Sequence, residues 1–310
     1  MQDYTSLITF VLAVSSASQV ELGWDPTVKR LYDGSRAFYE IAVRCNVNDE
    51  VTERIYRTSQ ILSDHSADGL RGRGSRVYKA HLLDTDGKET GDPVAIKDVW
   101  LDNDHDREGD IMRAIYDDVS AEDRITLRKY LLTMECHGDV FVNGKQDRTL
   151  DQSALGPVAD FHLRRTPLAP QRPFTSSVGL APSVHIRAPL EPSRQYPPKV
   201  HYRIVFKEVG TSLYVVRSLA NVFQSLRDVI NGKNCLILSG CLIDAIVLNS
   251  VLEILHKYSW VHRDISPGNI IFYDGGGRLS DFEYAKKTTR LVGDEVPTVC
   301  CLTYSFTCFM

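Results

Sequence analysis

Three stretches in the first third of the chain have the pattern or the residue content of strands. Apolar and polar residues alternate along residues 38–45, which are also rich in β-forming side chains, and residues 76–83 and 93–100 have the content of two further strands. Patterns of this kind predict strands. The turn-forming sequence DTDGKETGD joins the last two stretches, which are therefore predicted to form a hairpin.

A helical spacing follows these strands. Ile111, Ile115 and Val119 recur every four residues, which predicts a helix over residues 106–119 with Asp106 as its N-cap. This is the one helix predicted in the part of the chain that precedes residue 144.

The last third of the chain mixes strand and helix patterns. Residues 201–210 are predicted to form a strand that ends at a glycine, and residues 250–260 have the apolar face of a helix. Residues 270–273 and 278–282 flank a run of three glycines, which predicts a short hairpin.

Proline content separates these two parts. Residues 144–199 contain nine of the thirteen prolines of the chain. Because proline fixes φ and has no N–H, this stretch is predicted to be a mobile insert or linker rather than regular structure. The chain is therefore predicted to be α+β, with a small sheet and one helix before the insert and a more helical part after it.

Charge and cysteine content narrow the function classes. A net charge of −4 and a pI near 6.1 provide no field that would attract nucleic acid to the whole chain. The seven cysteines include no CxxC pair. A zinc ribbon or disulfide framework is therefore not expected, and reduced thiols in an intracellular protein, cytoplasmic or nuclear, fit better.

Two apolar stretches were compared with membrane segments. Residues 6–18 lack the basic start of a secretory signal, and a buried strand or helix is predicted there. Residues 234–255 are interrupted by Asp244, Asn249 and Glu253, which favours a core helix or an irregular insert over a membrane span. No membrane partner is expected.

One short segment concentrates polar groups that can carry chemistry. His262, Arg263 and Asp264 are adjacent, and Asn269 follows the aspartate by five residues. The predicted hairpin would fold Asp281 back beside Asn269. One carboxylate base and two oxygen ligands for magnesium are the set that phosphoryl transfer requires. The plain alternative for the segment is an exposed charged loop.

An apolar segment earlier in the chain ends in Lys97, within the sequence VAIK. Its ammonium can bind phosphate oxygens and pair with a carboxylate from the next helix. Glu108 is the best candidate for this partner, and Asp106 and Asp110 are rivals. A strand-end lysine that reaches solvent is the alternative.

Glycines precede this lysine in the order that the chemistry requires. Gly69, Gly72 and Gly74 lie in GLRGRGSRVYKA, and glycine permits close approach of the backbone to phosphate. A Gly-rich turn between strands is also common without any ligand. These glycines indicate a phosphate site only because they precede Lys97 in the chain.

Taken in this order, the motifs resemble a eukaryotic protein kinase, and more closely the fungal-type protein kinase family. The segments similar to that family are residues 22–34, 94–113, 203–219 and 260–271. The resemblance covers most of residues 20–142 and 201–290, in several separate blocks that agree in order.

The resemblance implies the following roles. Gly72 and Gly74 would line the nucleotide phosphates, and Lys97 would bind them while it pairs with Glu108. The hinge, residues 206–210, would meet adenine through its backbone, which places Glu208 and Gly210 in the cofactor site. Asp264 would be the catalytic base, Asn269 and Asp281 would hold magnesium, and His262 and Arg263 would order the loop. ATP and magnesium are the implied cofactors.

Three positions depart from the usual kinase pattern. Ser75 stands where the third glycine of the loop is usual, and Glu283 replaces the glycine of the DFG sequence. Ser266 stands where serine/threonine kinases have a lysine that assists the γ-phosphate, which puts the rate of transfer in doubt.

The resemblance divides the chain into four parts. These are an N-terminal extension with strands (1–60), a kinase N-lobe (61–143), the Pro-rich insert (144–199), and a hinge with a partial C-lobe (200–310). The fold is thus expected to be bilobal, with a β-rich N-lobe and a mainly helical C-lobe that is truncated. Residues 231–249 interrupt an expected continuous helix and are predicted to be an insertion.

The expected function is transfer of the γ-phosphoryl group of ATP to a serine or threonine hydroxyl of a protein substrate. A kinase-like binding module without catalysis is the first alternative, favoured by the DFE sequence and the short C-lobe. A small-molecule kinase is the second, and Arg263 argues against it because an arginine beside the base typically reads a phosphate on the activation segment.

Overall fold

The computed structural model describes residues 4–47, 50–65, 74–149, 198–230 and 251–288. Its helices are α1 (Thr5–Ser16), α2 (Glu108–Asp118), α3 (Ala121–Tyr130), α4 (Leu219–Ile230) and α5 (Val251–Lys257). The first strands are β1 (Val28–Asp33), β2 (Arg36–Val47), β3 (Glu50–His65), β4 (Ser75–Leu83), β5 (Glu89–Asp102), β6 (Met134–Asp139), β7 (Phe141–Val142) and β8 (Lys145–Gln146). The later strands are β9 (Lys199–Phe206), β10 (Thr211–Ser212), β11 (Trp260–Val261), β12 (Ile270–Tyr273), β13 (Gly276–Leu279) and β14 (Lys286–Lys287).

A seven-stranded sheet forms the first half of the structure, in the order β1-β2-β3-β4-β5-β9-β6. Strands β1 to β5 are sequential antiparallel neighbours, and β9 inserts between β5 and β6 from a distant part of the sequence. The sheet curls, because Gly138 of β6 packs so closely on the backbone of Arg44 in β2 that a Cβ would overlap it. The protein is α+β, as its sequence pattern predicts.

The alternation of side chains along β5 gives the sheet two apolar faces. Val94 and Ile96 point into the interior of the curled sheet, where they join a buried cluster with Tyr56 and Val205. Residues of the opposite parity, among them Val99, pack against α2 and the elements after residue 200. Lys97 shares this second face, so the strand register alone directs its ammonium towards the helices.

Helix α2 begins two residues later than the sequence predicts. Its N-cap is Arg107, which makes no side-chain capping bond, and Asp106 is not the cap. Arg107 instead binds Asp139 of β6 through Nε at 2.6 Å and Nη2 at 3.3 Å. Tertiary contacts, rather than a local cap, therefore fix the start of this helix.

A second helix, α3, was not predicted in this part of the chain. Ser120 caps it, since its Oγ accepts from the N–H of Asp123 at 3.2 Å and donates to the Asp123 carboxylate at 3.1 Å. This reciprocal pattern resembles a capping box and was a usable sequence signal. Leu127 and Tyr130 of α3 pack into the second core cluster.

The predicted hairpin after residue 270 forms with a different register from the one expected. Strand β13 spans Gly276–Leu279, so two of the three glycines lie in the strand and the turn falls at Asp274 and Gly275, which have φ values of 47° and 76°. Gly277 lies against the backbone of Ser225 in α4, where a Cβ would overlap. A glycine at that position allows α4 to pack directly on the hairpin.

The first apolar stretch forms helix α1, but the predicted burial is wrong. None of its residues is buried, and Leu7, Ile8 and Phe10 are each more than half exposed. The stretch contains apolar residues on all sides, so no single face is committed to the core. In the described part of the chain no helix combines the length and the apolar character that crossing a membrane requires.

The expectation of unpaired thiols is wrong for two cysteines. Cys45 of β2 and Cys136 of β6 form a disulfide across the curled sheet, at a sequence separation of 91. The pairing depends on the approach of two strands that are distant in the chain, and therefore no local spacing announces it.

The predictions for the Pro-rich insert and for an insertion at residues 231–249 fall largely or wholly outside the described residues. The two ends of the insert are described. The N–H of Thr149 donates to the carbonyl of Lys199 at 2.8 Å. The chain thus leaves the sheet and returns to it at one place.

A buried polar network ties the N-terminal part of the chain to β5 and β9. The Arg203 side chain, 1% exposed, donates to Asp98 at 2.7 Å, to Thr27 at 2.7 Å and to Asp25. His201 lies beside it and bridges Asp98 at 2.8 Å and Asp147 at 2.9 Å. Buried charges of both signs satisfy one another here, so removal of one partner leaves the others uncompensated.

The network favours the charged form of His201. Burial lowers its pKa, but the hydrogen bonds to Asp147 and Asp98 outweigh burial and raise the pKa above its ordinary value. Arg203 opposes this, and Asp25 lies 3.9 Å away. A raised pKa in the folded state stabilises the fold below the unfolded pKa, and this contribution is lost as the pH rises through the folded value.

We therefore expect the stabilising effect of His201 to depend on pH. Relative to His201→Gln, the free energy of unfolding of the wild type should be higher by a constant amount below about pH 6.5 and by a shrinking amount above it. Each unit of pKa elevation corresponds to about 1.4 kcal/mol. Urea unfolding between pH 6 and pH 9 measures the difference, with the exposed His256→Gln as the control. A difference that grows with pH would contradict the network.

Candidate active site

Lys97 forms the centre of the site. Its ammonium lies 2.8 Å from Glu108 Oε2 and 2.8 Å from Asp281 Oδ1. A third carboxylate, that of Glu283, lies 3.8 Å away. The lysine is 8% exposed. Segments 184 residues apart in the chain thus meet at one buried ammonium.

Burial opposes the charge of Lys97, but the carboxylates of Asp281, Glu108 and Glu283 outweigh it and raise its pKa above the ordinary value. The ammonium is therefore charged at neutral pH. The lysine does not reach solvent as a strand-end lysine would, which removes the plain alternative for VAIK.

Glu108 is the first residue of α2 and connects two elements. One carboxylate oxygen binds Lys97, and the other accepts the backbone N–H of Phe282 at 3.1 Å. Of the two rivals considered from the sequence, Asp110 instead faces Arg113 at 3.3 Å and His137 at 3.6 Å. No contact with Lys97 is recorded for Asp106 within the described residues.

Two contacts from the sheet fix the helix end that carries Glu108. The N–H of Gly109 donates to the hydroxyl of Tyr202 in β9 at 3.0 Å, and this hydroxyl stays protonated because burial raises its pKa well above the ordinary value. Gly109 also lies directly against the His137 ring of β6, where a Cβ would overlap. Gly109 thus lets the helix approach the sheet closely enough for Glu108 to reach Lys97.

Asp281 has left-handed backbone geometry, with φ 62° and ψ 65°. It follows Ser280, whose N–H and hydroxyl both donate to the carbonyl of Asn269, at 2.9 Å and 3.0 Å. A non-glycine residue in this conformation is uncommon and costs free energy, so the surrounding contacts must hold it. The arrangement brings Asp281 next to Asn269, as the predicted hairpin requires.

The HRD segment packs on the same turn. The His262 ring is buried, with Nε2 3.0 Å from the carbonyl of Ser280 and an edge contact with Phe282. Burial lowers the pKa of His262, so the neutral ring donates from Nε2 and Nδ1 faces the N–H of Asp264 at 3.4 Å. Arg263 has φ 71° and is exposed. His262 therefore connects the loop that carries Asp264 to the turn at Asp281.

Asp264 and Asn269 face each other across this loop. The Asn269 amide donates to the carbonyl of Asp264 at 2.9 Å and to its carboxylate at 3.0 Å. These bonds orient the carboxylate and leave the amide oxygen on the opposite edge of the Asn269 side chain. The side chain of Asp264 is half-buried, which keeps it accessible to a hydroxyl.

The residues present fit magnesium. The Asp281 carboxylate and the amide oxygen of Asn269 are hard oxygen donors on adjacent segments. Among the described residues no group of three or more His, Cys, Asp or Glu could hold a metal by itself. Magnesium commonly takes one or two side chains and completes its shell with water and phosphate oxygens, so this donor set suits a metal bound together with a nucleotide.

The predicted hinge, at the end of β9, is fixed by contacts with Thr133 and Arg278. The N–H of Lys207 donates to the carbonyl of Thr133 at 2.9 Å. The Glu208 carboxylate accepts from the N–H and hydroxyl of Thr133, both at 2.7 Å, and from Arg278 at 3.1 Å. The Glu208 side chain is thus occupied by contacts within the protein, so the adenine contact that the resemblance implies would have to come from the backbone. Gly210 lies against Ile271 and the carbonyl of Phe272.

The glycine-rich turn lies mostly outside the described residues, including Gly69 and Gly72. Gly74 is described at the start of β4 and has φ 50°. In β4, Val77 lies directly opposite Lys97 in the register, so the start of β4 is close to the lysine.

The curled sheet, helix α2 and these side chains together define a phosphotransferase of the protein-kinase type. A family model described as fungal protein kinase matches residues 1–306. The chain belongs to this family, which confirms the resemblance of its motifs. A comparison with curated proteins gives no match. The catalytic and binding roles of individual residues stay predictions.

Sequence reasoning missed two residues that shape this site. Tyr202 is one of several apolar-looking residues in a strand, and nothing in its spacing signals that its hydroxyl meets a helix. Glu283 was noted as a departure from DFG, but not as a neighbour of Lys97. Its place two residues after Asp281 was the available signal.

Loss of the Tyr202 hydroxyl should weaken the docking of α2. Tyr202→Phe leaves the N–H of Gly109 buried without its partner, which costs about 1–3 kcal/mol in the free energy of unfolding. Urea unfolding measures this cost. Tyr32→Phe, at an exposed position of edge strand β1, is the matched control and should change stability by less than about 0.5 kcal/mol. Equal effects of the two variants would contradict the proposed contact.

Proposed function

We propose that the protein is an ATP- and magnesium-dependent protein kinase that transfers a γ-phosphoryl group to a serine or threonine hydroxyl of a protein substrate. The observation that carries this proposal is the bridge from Lys97 to Glu108 and to Asp281. It joins a strand, a helix and a metal turn around one ammonium, in the order that a kinase site requires.

The proposal includes a bilobal arrangement in which the seven-stranded sheet with α2 forms the N-lobe. The elements from β10 onward, including α4 and α5, would belong to a C-lobe. Phe206 and the residues up to Gly210 would connect the two. The nucleotide would then lie between Lys97 and the turn at Asp281, with its adenine against the hinge backbone.

Each residue then has a defined task. Lys97 would hold phosphate oxygens, and Glu108 would keep its ammonium in place. Asp264 would orient the acceptor hydroxyl and accept its proton, while the Asn269 amide fixes the carboxylate. Magnesium, when bound by Asp281 and Asn269, would neutralise charge on the phosphates. Catalysis would consist mainly of positioning and charge stabilisation.

A kinase-like module that binds nucleotide without transfer is the second candidate. The observation in its favour is the excess of carboxylates around Lys97, because Glu283 adds a negative charge close to the position of the phosphates. The two candidates agree on the site and differ only in whether the chemical step occurs.

The variant Asp264→Asn separates these two functions. In the wild type, ATP with magnesium at about 100 times its Kd should raise the free energy of unfolding by about 2.7 kcal/mol. Asp264→Asn should keep this stabilisation, while phosphoryl transfer to a protein substrate falls at least about 100-fold, because the carboxylate base is lost.

Thermal unfolding with and without ATP and magnesium, followed by a radiolabel transfer assay, measures both effects. Asp274→Asn makes the same chemical change at an exposed turn and should affect neither. Stabilisation of the wild type without transfer would select the binding module. Undiminished transfer by Asp264→Asn would remove that residue from the mechanism.

A further inference from the structure

Glu283 is a buried carboxylate at the centre of the site. It lies two residues after Asp281 in a short 3-10 helix, Phe282–Tyr284, and is 4% exposed. Its Oε2 is 3.8 Å from the ammonium of Lys97. A carboxylate removed from water is unfavourable unless an opposite charge lies near it, and Lys97 is such a charge.

Lys97 therefore has three carboxylates around it. Glu108 and Asp281 are in contact at 2.8 Å, and Glu283 is about one ångström further away at 3.8 Å. An ammonium has three donors and can serve three acceptors. Glu108 and Asp281 already contact the ammonium, and Glu283 is a third carboxylate near it. The place of Glu283 beside Lys97 therefore needs a reason of its own.

Of these three groups, Asp281 is the one that the proposed function assigns to magnesium. A carboxylate that binds a divalent cation attracts a neighbouring ammonium less strongly, since its charge is shared with the metal. Lys97 would then rely on Glu108 alone at the moment when it must hold phosphate. Glu283, 3.8 Å from the ammonium, is the nearby carboxylate that could replace the weakened contact.

We propose that Glu283 is a positioning residue for Lys97, which keeps the ammonium in place when Asp281 binds magnesium. This inference rests on the proposed function. It also accounts for the position of Glu283 beside α2. Glu108 accepts the N–H of Phe282, so both carboxylates that would retain Lys97 are anchored to the same turn.

The variant Asp281→Asn imitates the loss of the Asp281 charge and allows a test without nucleotide or metal. We expect Glu283→Gln to lower the melting temperature of the metal-free protein more in the Asp281→Asn background than in the wild type. The extra loss should be at least about 3 °C. Lys97 stays paired with Glu108 in all four proteins, which favours folding.

A purely structural role of Glu283 predicts a different result. If Glu283 only fills space or supports the 3-10 helix, its replacement lowers the melting temperature equally in both backgrounds, and this outcome would overturn the proposal. Glu135→Gln is the matched control, because Glu135 pairs with Arg54 on the sheet at 2.9 Å. It should give equal shifts in both backgrounds.

A second double-mutant cycle, with Lys97→Met and Glu283→Gln, keeps the proposal testable if the Asp281 variants do not fold. In Lys97→Met the ammonium is absent, and Glu283 becomes a buried charge next to two others. The change in melting temperature caused by Glu283→Gln should then be more positive, by several degrees, in the Lys97→Met background than in the wild type. Equal effects with and without Lys97 would again overturn the proposal.

Nucleotide binding gives the functional measurement. By calorimetry, Glu283→Gln should bind ATP with magnesium about 3- to 10-fold more weakly than the wild type, and Glu283→Asp, which is shorter, should lie between them. Unchanged affinity in Glu283→Gln would contradict the positioning role. Absence of nucleotide binding in the wild type would instead contradict the proposed function, while the metal-free cycles still report the coupling of Glu283 to Lys97.

Discussion

The buried ammonium of Lys97 is the interaction on which the arrangement of the site depends. It neutralises carboxylates that come from α2 and from the turn after β13, two elements that also meet where Glu108 accepts the N–H of Phe282. Because a buried carboxylate without a partner is costly, the folded state that satisfies Lys97 also determines where Glu108 and Asp281 lie. The ion pairs thus specify geometry more than they add stability.

The sheet prepares this meeting through its register and its close contacts. Strand alternation directs Lys97 to the face that packs on α2, while the other face fills the curled interior. Gly109 allows the first turn of α2 to approach the sheet closely, and the Tyr202 hydroxyl fixes the position of that turn along the sheet. The left-handed turn at Asp281 completes the site from the opposite side, held by Ser280 and Asn269. A chemically simple set of side chains therefore requires support from distant parts of the fold.

Local patterns in the sequence predicted the parts of this structure that depend on neighbouring residues. The central strands and the helix that carries Glu108 follow from side-chain periodicity, and the family motifs supplied the site residues in their order. The pairing of Cys45 with Cys136, the exposure of α1 and the contact between Glu283 and Lys97 were not predicted. Each of them depends on how elements distant in sequence pack together. No period or spacing in the sequence indicates the disulfide or the exposure of α1, and the contact of Glu283 had only its place two residues after Asp281 as a signal.

Affinity labelling would test the convergence on Lys97 most directly. A reactive acyl phosphate of ATP transfers its acyl group to the lysine amine that lies beside the bound phosphates, and mass spectrometry of the digested protein locates it. The account predicts that Lys97 is labelled and that excess ATP with magnesium prevents the labelling. Labelling of another lysine in preference to Lys97, or labelling of Lys97 that excess nucleotide does not prevent, would contradict it.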